Sequence, residues 1–329
     1  MLASNHYSVL FTGGLDSSYR LCQLARDEKA IVQPVYILFS NDGKSSHVRP
    51  EMQREIEAQD KILDYISHHV NTKATFLPIR RIHRDELPTG LGTDLLEHRG
   101  NVYNWIIQLG RGGLGWQYYY IALYSKWDKG VEICQEMLPR PFEKGNIQFF
   151  TDNLGRKRLA MDKFSGKGAN YFQFLFNDLA YPILGVTRSE MKTNLDKWGY
   201  SEIWNHIWFC YLSVNGEPCG ICDNCFLKLE QGLSFLFSKE AIHRYHVCKV
   251  IRKFSDDKLK CFFEQNVLLG EEAYKKAIVR ECMENHWGLR DFFLSHPLLL
   301  EKMYKKTNKN LDRIVSKCHS SEDICNMII

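Results

Sequence analysis

Ser8-Val9-Leu10-Phe11-Thr12-Gly13-Gly14-Leu15-Asp16-Ser17-Ser18 is the stretch on which the fold turns. Its first four residues form a short apolar run, the glycines interrupt it, and a polar, helix-compatible stretch from Ser17 to Arg26 follows at once. That pattern predicts strand, tight loop, helix. Further along, Ile31 to Phe39 is apolar at nearly every position, as a strand covered on both faces should be. Pro50 opens a predicted helix that places Met52, Ile56, Leu63, Ile66 and Val70 on one face. Thr75 to Ile79 and Val131 to Cys134 supply two more strand candidates. Strands alternating with amphipathic helices predict an α/β layer fold with a parallel sheet.

The loop is built for anions. Glycines let the backbone come close to phosphate oxygens, and a helix start offers oriented N–H groups and positive dipole. The hydroxyls of Thr12, Ser17 and Ser18 add donors. Neither Gly-x-x-x-x-Gly-Lys-Ser/Thr nor Gly-x-Gly-x-x-Gly occurs at this turn. Asp16 is informative, because a carboxylate beside phosphates is repelled unless a divalent cation sits between them. The plain alternative is a glycine turn with a capping aspartate. The full string after an N-terminal strand favours phosphate binding, with Thr12, Gly13, Gly14, Leu15, Asp16, Ser17 and Ser18 as its residues.

Around this core the chain is uneven. Residues 80 to 115 are glycine-rich and read as loop, leading into an aromatic helix from Trp116 to Trp127. Residues 138 to 170 read as an irregular insertion. Thr187 caps a helix from Arg188 to Trp198, with Glu190 at the capping-box spacing. Residues 229 to 329 hold a single proline, Pro297, and apolar residues at helical period, which predicts an all-helical extension. Tyr118, Tyr119, Tyr120 and Tyr124 beside Trp116 suit a core helix better than a base-stacking surface. His68-His69, and the pair His243 and His246, lack further ligands nearby, and Lys302, Lys305, Lys306 and Lys309 suit a solvated face.

The 329 residues are 44% hydrophobic and 25% charged, which excludes a disordered, collagenous or coiled-coil protein. A net charge of +4 is too slight for a nucleic-acid stripe. No apolar run reaches membrane-span length, and Met1 to Phe11 lacks a signal-peptide pattern, so a cytoplasmic protein is expected. The eleven cysteines are an odd number, and Cys210, Cys219, Cys222 and Cys225 cluster. In a reducing compartment such clustering points to metal before disulfide. Four thiolates close a tetrahedral shell around a structural zinc, with an iron–sulfur cluster and packed reduced thiols as the alternatives.

The glycine loop and the cysteine segment, in this order and at this separation, resemble the 7-cyano-7-deazaguanine synthase family of PP-loop ATP pyrophosphatases. The resembling stretches are Thr12-Gly13-Gly14-Leu15-Asp16-Ser17, Tyr181-Pro182-Ile183, Thr187-Arg188-Ser189-Glu190, Trp208-Phe209-Cys210-Tyr211 and Glu217-Pro218-Cys219-Gly220-Ile221-Cys222-Asp223-Asn224-Cys225. The resemblance implies a doubly wound parallel sheet of the adenine nucleotide alpha-hydrolase kind. It also implies a catalytic domain over 1–228 that includes a zinc loop at 208–226, with the helical extension over 229–329.

By the same resemblance, ATP and magnesium are the expected cofactors beside zinc, and Asp16 and Ser17 the catalytic residues. Adenine is expected against the backbone of Ile37, Leu38 and Phe39. The implied reaction adenylates a carboxylate of the 7-deazaguanine type, releases pyrophosphate and passes the acyl group to ammonia, continuing to an amide or nitrile. Transfer to an amine of a protein partner is the second reading, with the extension as a docking or homo-oligomer surface. A PP-loop enzyme acting on tRNA and a non-catalytic nucleotide-binding adaptor are the remaining ones; no basic face supports the former, and an intact Asp16 argues against the latter. The chain departs from the family's pattern at Thr12, at Cys134-Gln135-Glu136 and across 138–170, and Arg111 in Gly110-Arg111-Gly112 stands as the candidate match to the arginine of the family's Pro-Gly-Arg-Asn stretch.

Overall fold

The computed structural model describes residues 5–39, 51–87, 117–136, 148–160, 169–252 and 297–298. The chain divides into two compact units, Met1–Trp208 and Phe209–Ile329. The cysteine segment goes with the second unit, whereas the expected division at 228 groups it with the first.

In the first unit, β1 (Asn5–Leu10) and β2 (Ala30–Leu38) pair in parallel, from Asn5 opposite Ala30 to Leu10 opposite Val35. The outer edge of β2 is shared by two short parallel strands. Its first half pairs with β3 (Thr75–Phe76) and its second half with β4 (Arg80–His83). On the far side of β1, single parallel bridges join Val9 to Glu132 and Glu132 to Ala180. The bonds Leu10 N–H to Glu132 O at 2.9 Å and Ile133 N–H to Ala180 O at 2.9 Å carry this side. The sheet therefore grows outward from β1 in both directions, and the expected α/β class with a parallel sheet is observed.

Alternation along the strands sends side chains to two faces. Leu10, Val35, Ile37, Ile82, Val131 and Ile133 share one cluster with Tyr118, Tyr119, Ala122 and Leu123 of α3 (Gln117–Trp127) and with Leu175 and Phe176 of α4 (Ala169–Phe176). Each such fully buried side chain is worth about 1.5–3 kcal/mol relative to exposure. Helices α1 (Leu15–Ala25) and α2 (Met52–His68) pack together and bury Leu21, Cys22, Ile62 and Ile66. From β2, the Tyr36 hydroxyl donates to the Glu55 carboxylate of α2.

Four expectations are corrected. The buried face of α2 is Glu55, Ala58, Gln59, Ile62 and Ile66, not the stripe through Met52 and Val70; Val70 lies beyond the helix and is 90% exposed. Polar residues face inward there because Glu55 has Tyr36 as its partner. Arg80–His83 is a strand, although its polar composition reads as loop; only Ile82 of the four is buried. Within 138–170, Phe149–Thr151 (β5) and Lys157–Leu159 (β6) form an antiparallel hairpin, and the Tyr181 N–H donates to Lys157 O at 2.8 Å. Lastly, Val131–Cys134 is not a full strand, for its pairing runs through Glu132 alone.

Helix α5 (Arg188–Trp198) begins with the capping box that the spacing predicts, the Glu190 N–H reaching Thr187 Oγ1 at 3.2 Å and Glu190 Oε2 accepting from the Thr187 N–H at 2.8 Å. Such a cap is worth about 1 kcal/mol.

In the second unit, α6 (Asp223–Glu230), a short 3-10 turn at Ser234–Leu236 and α7 (Lys239–Ile251) follow the cysteine segment. Most of the extension expected at 229–329 lies outside the described residues, as do Pro50, Arg111, Trp116 and the lysines from Lys302 to Lys309. Among the described residues, no helix is long and apolar enough to cross a membrane.

Candidate functional site

The loop after β1 sits where the sheet's order reverses, the place at which open α/β sheets bind ligands. Its shape follows from two glycines. Gly13 has φ +74°, and a Cβ there would lie 3.1 Å from Glu55 O and 3.3 Å from Gln59 N, so its absence lets the backbone of α2 close on the loop. The Trp208 N–H donates to Gly13 O at 2.9 Å. Gly14 is the N-cap of α1 and brings no side-chain cap, so no side chain of the cap residue occupies the first-turn N–H groups at the positive end of the helix.

The residues expected at this site alternate in exposure. Thr12 is exposed and Gly14 and Asp16 are half-buried, while Gly13, Leu15, Ser17 and Ser18 are buried. The hydroxyls of Ser17 and Ser18 turn inward and donate to Gly14 O, at 3.3 Å and 2.7 Å. Both bonds brace the first turn of α1. Ile37, Leu38 and Phe39 lie at the carboxyl end of β2, with Ile37 and Phe39 in the sheet-face cluster.

Two further residues complete the site. Arg188, the first residue of α5, places Nη1 3.6 Å from Asp16 Oδ1 and Nε 3.3 Å from Glu136 Oε2. Glu136 follows the Val131–Cys134 segment, so the ends of two neighbouring strand segments are spanned by one guanidinium. Sequence reasoning did not assign either to the site. The available signal was electrostatic: a cation in the first turn of a helix opposes the dipole, and Arg188 directly follows the Thr187 cap.

In the second unit, the sulfur atoms of Cys210, Cys219, Cys222 and Cys225 all lie within 4.8 Å of one another. Tetrahedral Zn–S bonds of about 2.3 Å require sulfurs ~3.8 Å apart, and Cys219 Sγ and Cys225 Sγ are 3.8 Å apart. Backbone N–H groups point at the sulfurs: Leu212 and Cys219 donate to Cys210 at 3.4 and 3.2 Å, and Ile221 and Cys222 donate to Cys219 at 3.4 and 3.3 Å. Such donors favour thiolate, the form a metal binds. Hydrogen bonds from Cys210, Cys219 and Cys225 pull the Cys222 thiol well below its ordinary value, and the same network pushes Cys225 well above it. Four buried thiols cannot all ionise together without a cation; the donor set thus fits a metal ion such as zinc.

The loop's support is equally specific. Gly220 has φ +80°, and a Cβ on it would fall 2.1 Å from Ala241 O of α7. The buried Arg244 donates through Nε to Cys219 O at 2.7 Å, and Asn224 Nδ2 donates to Phe209 O at 3.1 Å.

Elsewhere, Tyr118, Tyr119 and Tyr124 are buried in the sheet-face cluster and so belong to the core. His68 is exposed beside Asp64, 3.1 Å from its carboxylate. No family model matches the chain, and no curated protein matches it.

Proposed function

We propose that the first unit is an ATP-dependent ligase of the PP-loop ATP pyrophosphatase type, which adenylates a carboxylate and passes the activated acyl group to an amine. The observation that supports this most is the uncapped glycine start of α1 beside Asp16, at the carboxyl end of the strand from which the sheet grows both ways. A carboxylate is a poor electrophile because its leaving group would be oxide; transfer of AMP to its oxygen, with release of pyrophosphate, makes AMP the leaving group instead. The N–H groups of Gly13, Gly14 and Leu15 with the Thr12 hydroxyl would hold the departing phosphates. Asp16 would carry magnesium, which supplies neutralisation of charge on the phosphates. Adenine would rest against Ile37 to Phe39. In the second unit the four cysteines would hold a structural zinc, since a closed four-sulfur shell leaves no open position for substrate.

The resemblance of the motifs makes 7-carboxy-7-deazaguanine the carboxylate to try first. The test is to incubate the full chain with ATP, magnesium, that carboxylate and ammonia, to follow pyrophosphate, and to weigh the products. Expected are AMP, pyrophosphate and an amide or nitrile; a mass gain on an added protein would instead identify a protein amine as acceptor. Asp16→Asn should abolish pyrophosphate release while leaving the melting temperature near wild type. Near-normal release by that variant would overturn the assignment.

A further inference from the structure

We propose that Arg188 is a phosphate-binding residue of this site, reading the polyphosphate through the guanidinium that lies between Asp16 and Glu136; this rests on the ATP reading above. The Arg188 side chain is only 10% exposed. Its Nε and Nη1 are buried and make no hydrogen bond, although two carboxylates stand 3.3 and 3.6 Å away. A guanidinium carries five donors in a rigid fork, and buried donors left unmade are costly. The same chain shows what a purely structural arginine clamp looks like, for Arg20 holds Glu132 through two bonds of 2.7 and 2.8 Å. Arg188 is different: close enough to its carboxylates to be steadied by them, and too poorly aligned to be satisfied.

Its place supplies the ligand class. Arg188 begins α5, where the helix dipole disfavours a cation, and it faces the loop whose α1 start has no side-chain cap. An oxyanion there meets the fork and the amides together, and bidentate recognition of phosphate is the chemistry for which a planar guanidinium is suited. Asp16 and Glu136 keep the guanidinium oriented and leave two negative charges against one positive. Free phosphate anions should therefore bind weakly unless a divalent cation is present to engage a carboxylate.

The test is titration calorimetry of the full chain with inorganic pyrophosphate and with ATP, with and without magnesium. Arg188→Gln should weaken both ligands about ten- to a hundredfold, the range for one charged hydrogen-bonding group. Arg188→Lys keeps the charge and loses the fork, so it should fall between that variant and wild type. Glu136→Gln removes a competing anion and should tighten pyrophosphate binding without magnesium, a readout that does not depend on the arginine variants folding. If wild type binds and a folded Arg188→Gln binds equally well, the inference fails and the ATP reading stands. Glu136→Gln that leaves binding unchanged or weaker also overturns it. Wild type binding neither ligand overturns both.

Discussion

Arg20 of α1 grips Glu132 through Nε at 2.7 Å and Nη2 at 2.8 Å, and the carboxylate is wholly buried. A second guanidinium stands by: Arg156 Nη1 lies 3.6 Å from Glu132 Oε1 and donates to Gly130 O at 2.9 Å, while Nε and Nη2 hold Asp152. The Arg20 guanidinium also lies 5.5 Å from the centre of the Tyr7 ring. Charge is thus buried at the middle of the sheet, but in a fully partnered form.

Breaking such a pair from one side should be far more damaging than removing it entirely. Arg20→Met leaves a buried carboxylate with only the more distant Arg156, and should destabilise the first unit by about 3–5 kcal/mol. The double change Arg20→Met with Glu132→Leu should recover much of that loss. Urea unfolding of the three proteins checks this; a double variant no more stable than the single one would contradict it.

The hairpin's anchor should respond to acid. Burial pushes the Asp152 carboxyl up, but hydrogen bonds from the Arg156 side chain and backbone and from the Leu154 N–H outweigh this and hold it below its ordinary value. A depressed carboxyl contributes stability that is present above its unfolded pKa of about 3.9 and is lost as pH falls from there through the folded value. Melting curves of wild type and Asp152→Asn from pH 7 to pH 2 should therefore converge below about pH 4. A difference constant down to pH 2 would rule the linkage out.

The cysteine cluster should carry one zinc per chain. Because such a site forms only in the folded loop, binding is part of the unit's folding free energy. Cys222→Ser should lose metal and lower both yield and melting temperature. Elemental analysis decides the metal, and iron with visible absorbance would replace zinc in the assignment.

Two glycines separate strain from collision. Gly155 and Gly220 both have positive φ, +74° and +80°, but a Cβ on Gly155 meets nothing within 4 Å whereas one on Gly220 falls 2.1 Å from the Ala241 carbonyl oxygen. Gly155→Ala should cost the backbone penalty alone, about 1–2 kcal/mol. Gly220→Ala must also move α7 or the loop, so it should cost more and weaken metal retention, measured by melting and by competition with a chelator.

The sequence was legible where structure is locally encoded. β1, the glycine loop, α1 and the Thr187 cap each follow from neighbouring residues, and the cysteines announce themselves by spacing. It was misleading where distant partners decide. Glu55 turns inward because Tyr36 of β2 receives it, and Arg80–His83 becomes a strand because β2 offers an unpaired edge despite the polar side chains. Arg188 sits against the dipole in the first turn of its helix, but its pairing with Glu136 is a contact between segments far apart in the chain, which no local pattern encodes. The inward turn of Ser17 and Ser18 onto Gly14 O is likewise a matter of geometry that composition does not report.

The hairpin at 148–160 has a consequence for solubility. Its Lys157 bridges Tyr181 in the antiparallel sense, next to the parallel rung at Ala180, the last among the described residues. A parallel sheet ending there would offer bare N–H and C=O groups to any passing strand, an invitation to join edge to edge. β6 takes that position, and among the described residues the new rim is passed to β5, only three residues long. A chain cut back to remove the hairpin would thus trade a closed border for an adhesive one, and its failure would look like aggregation before it looked like lost chemistry.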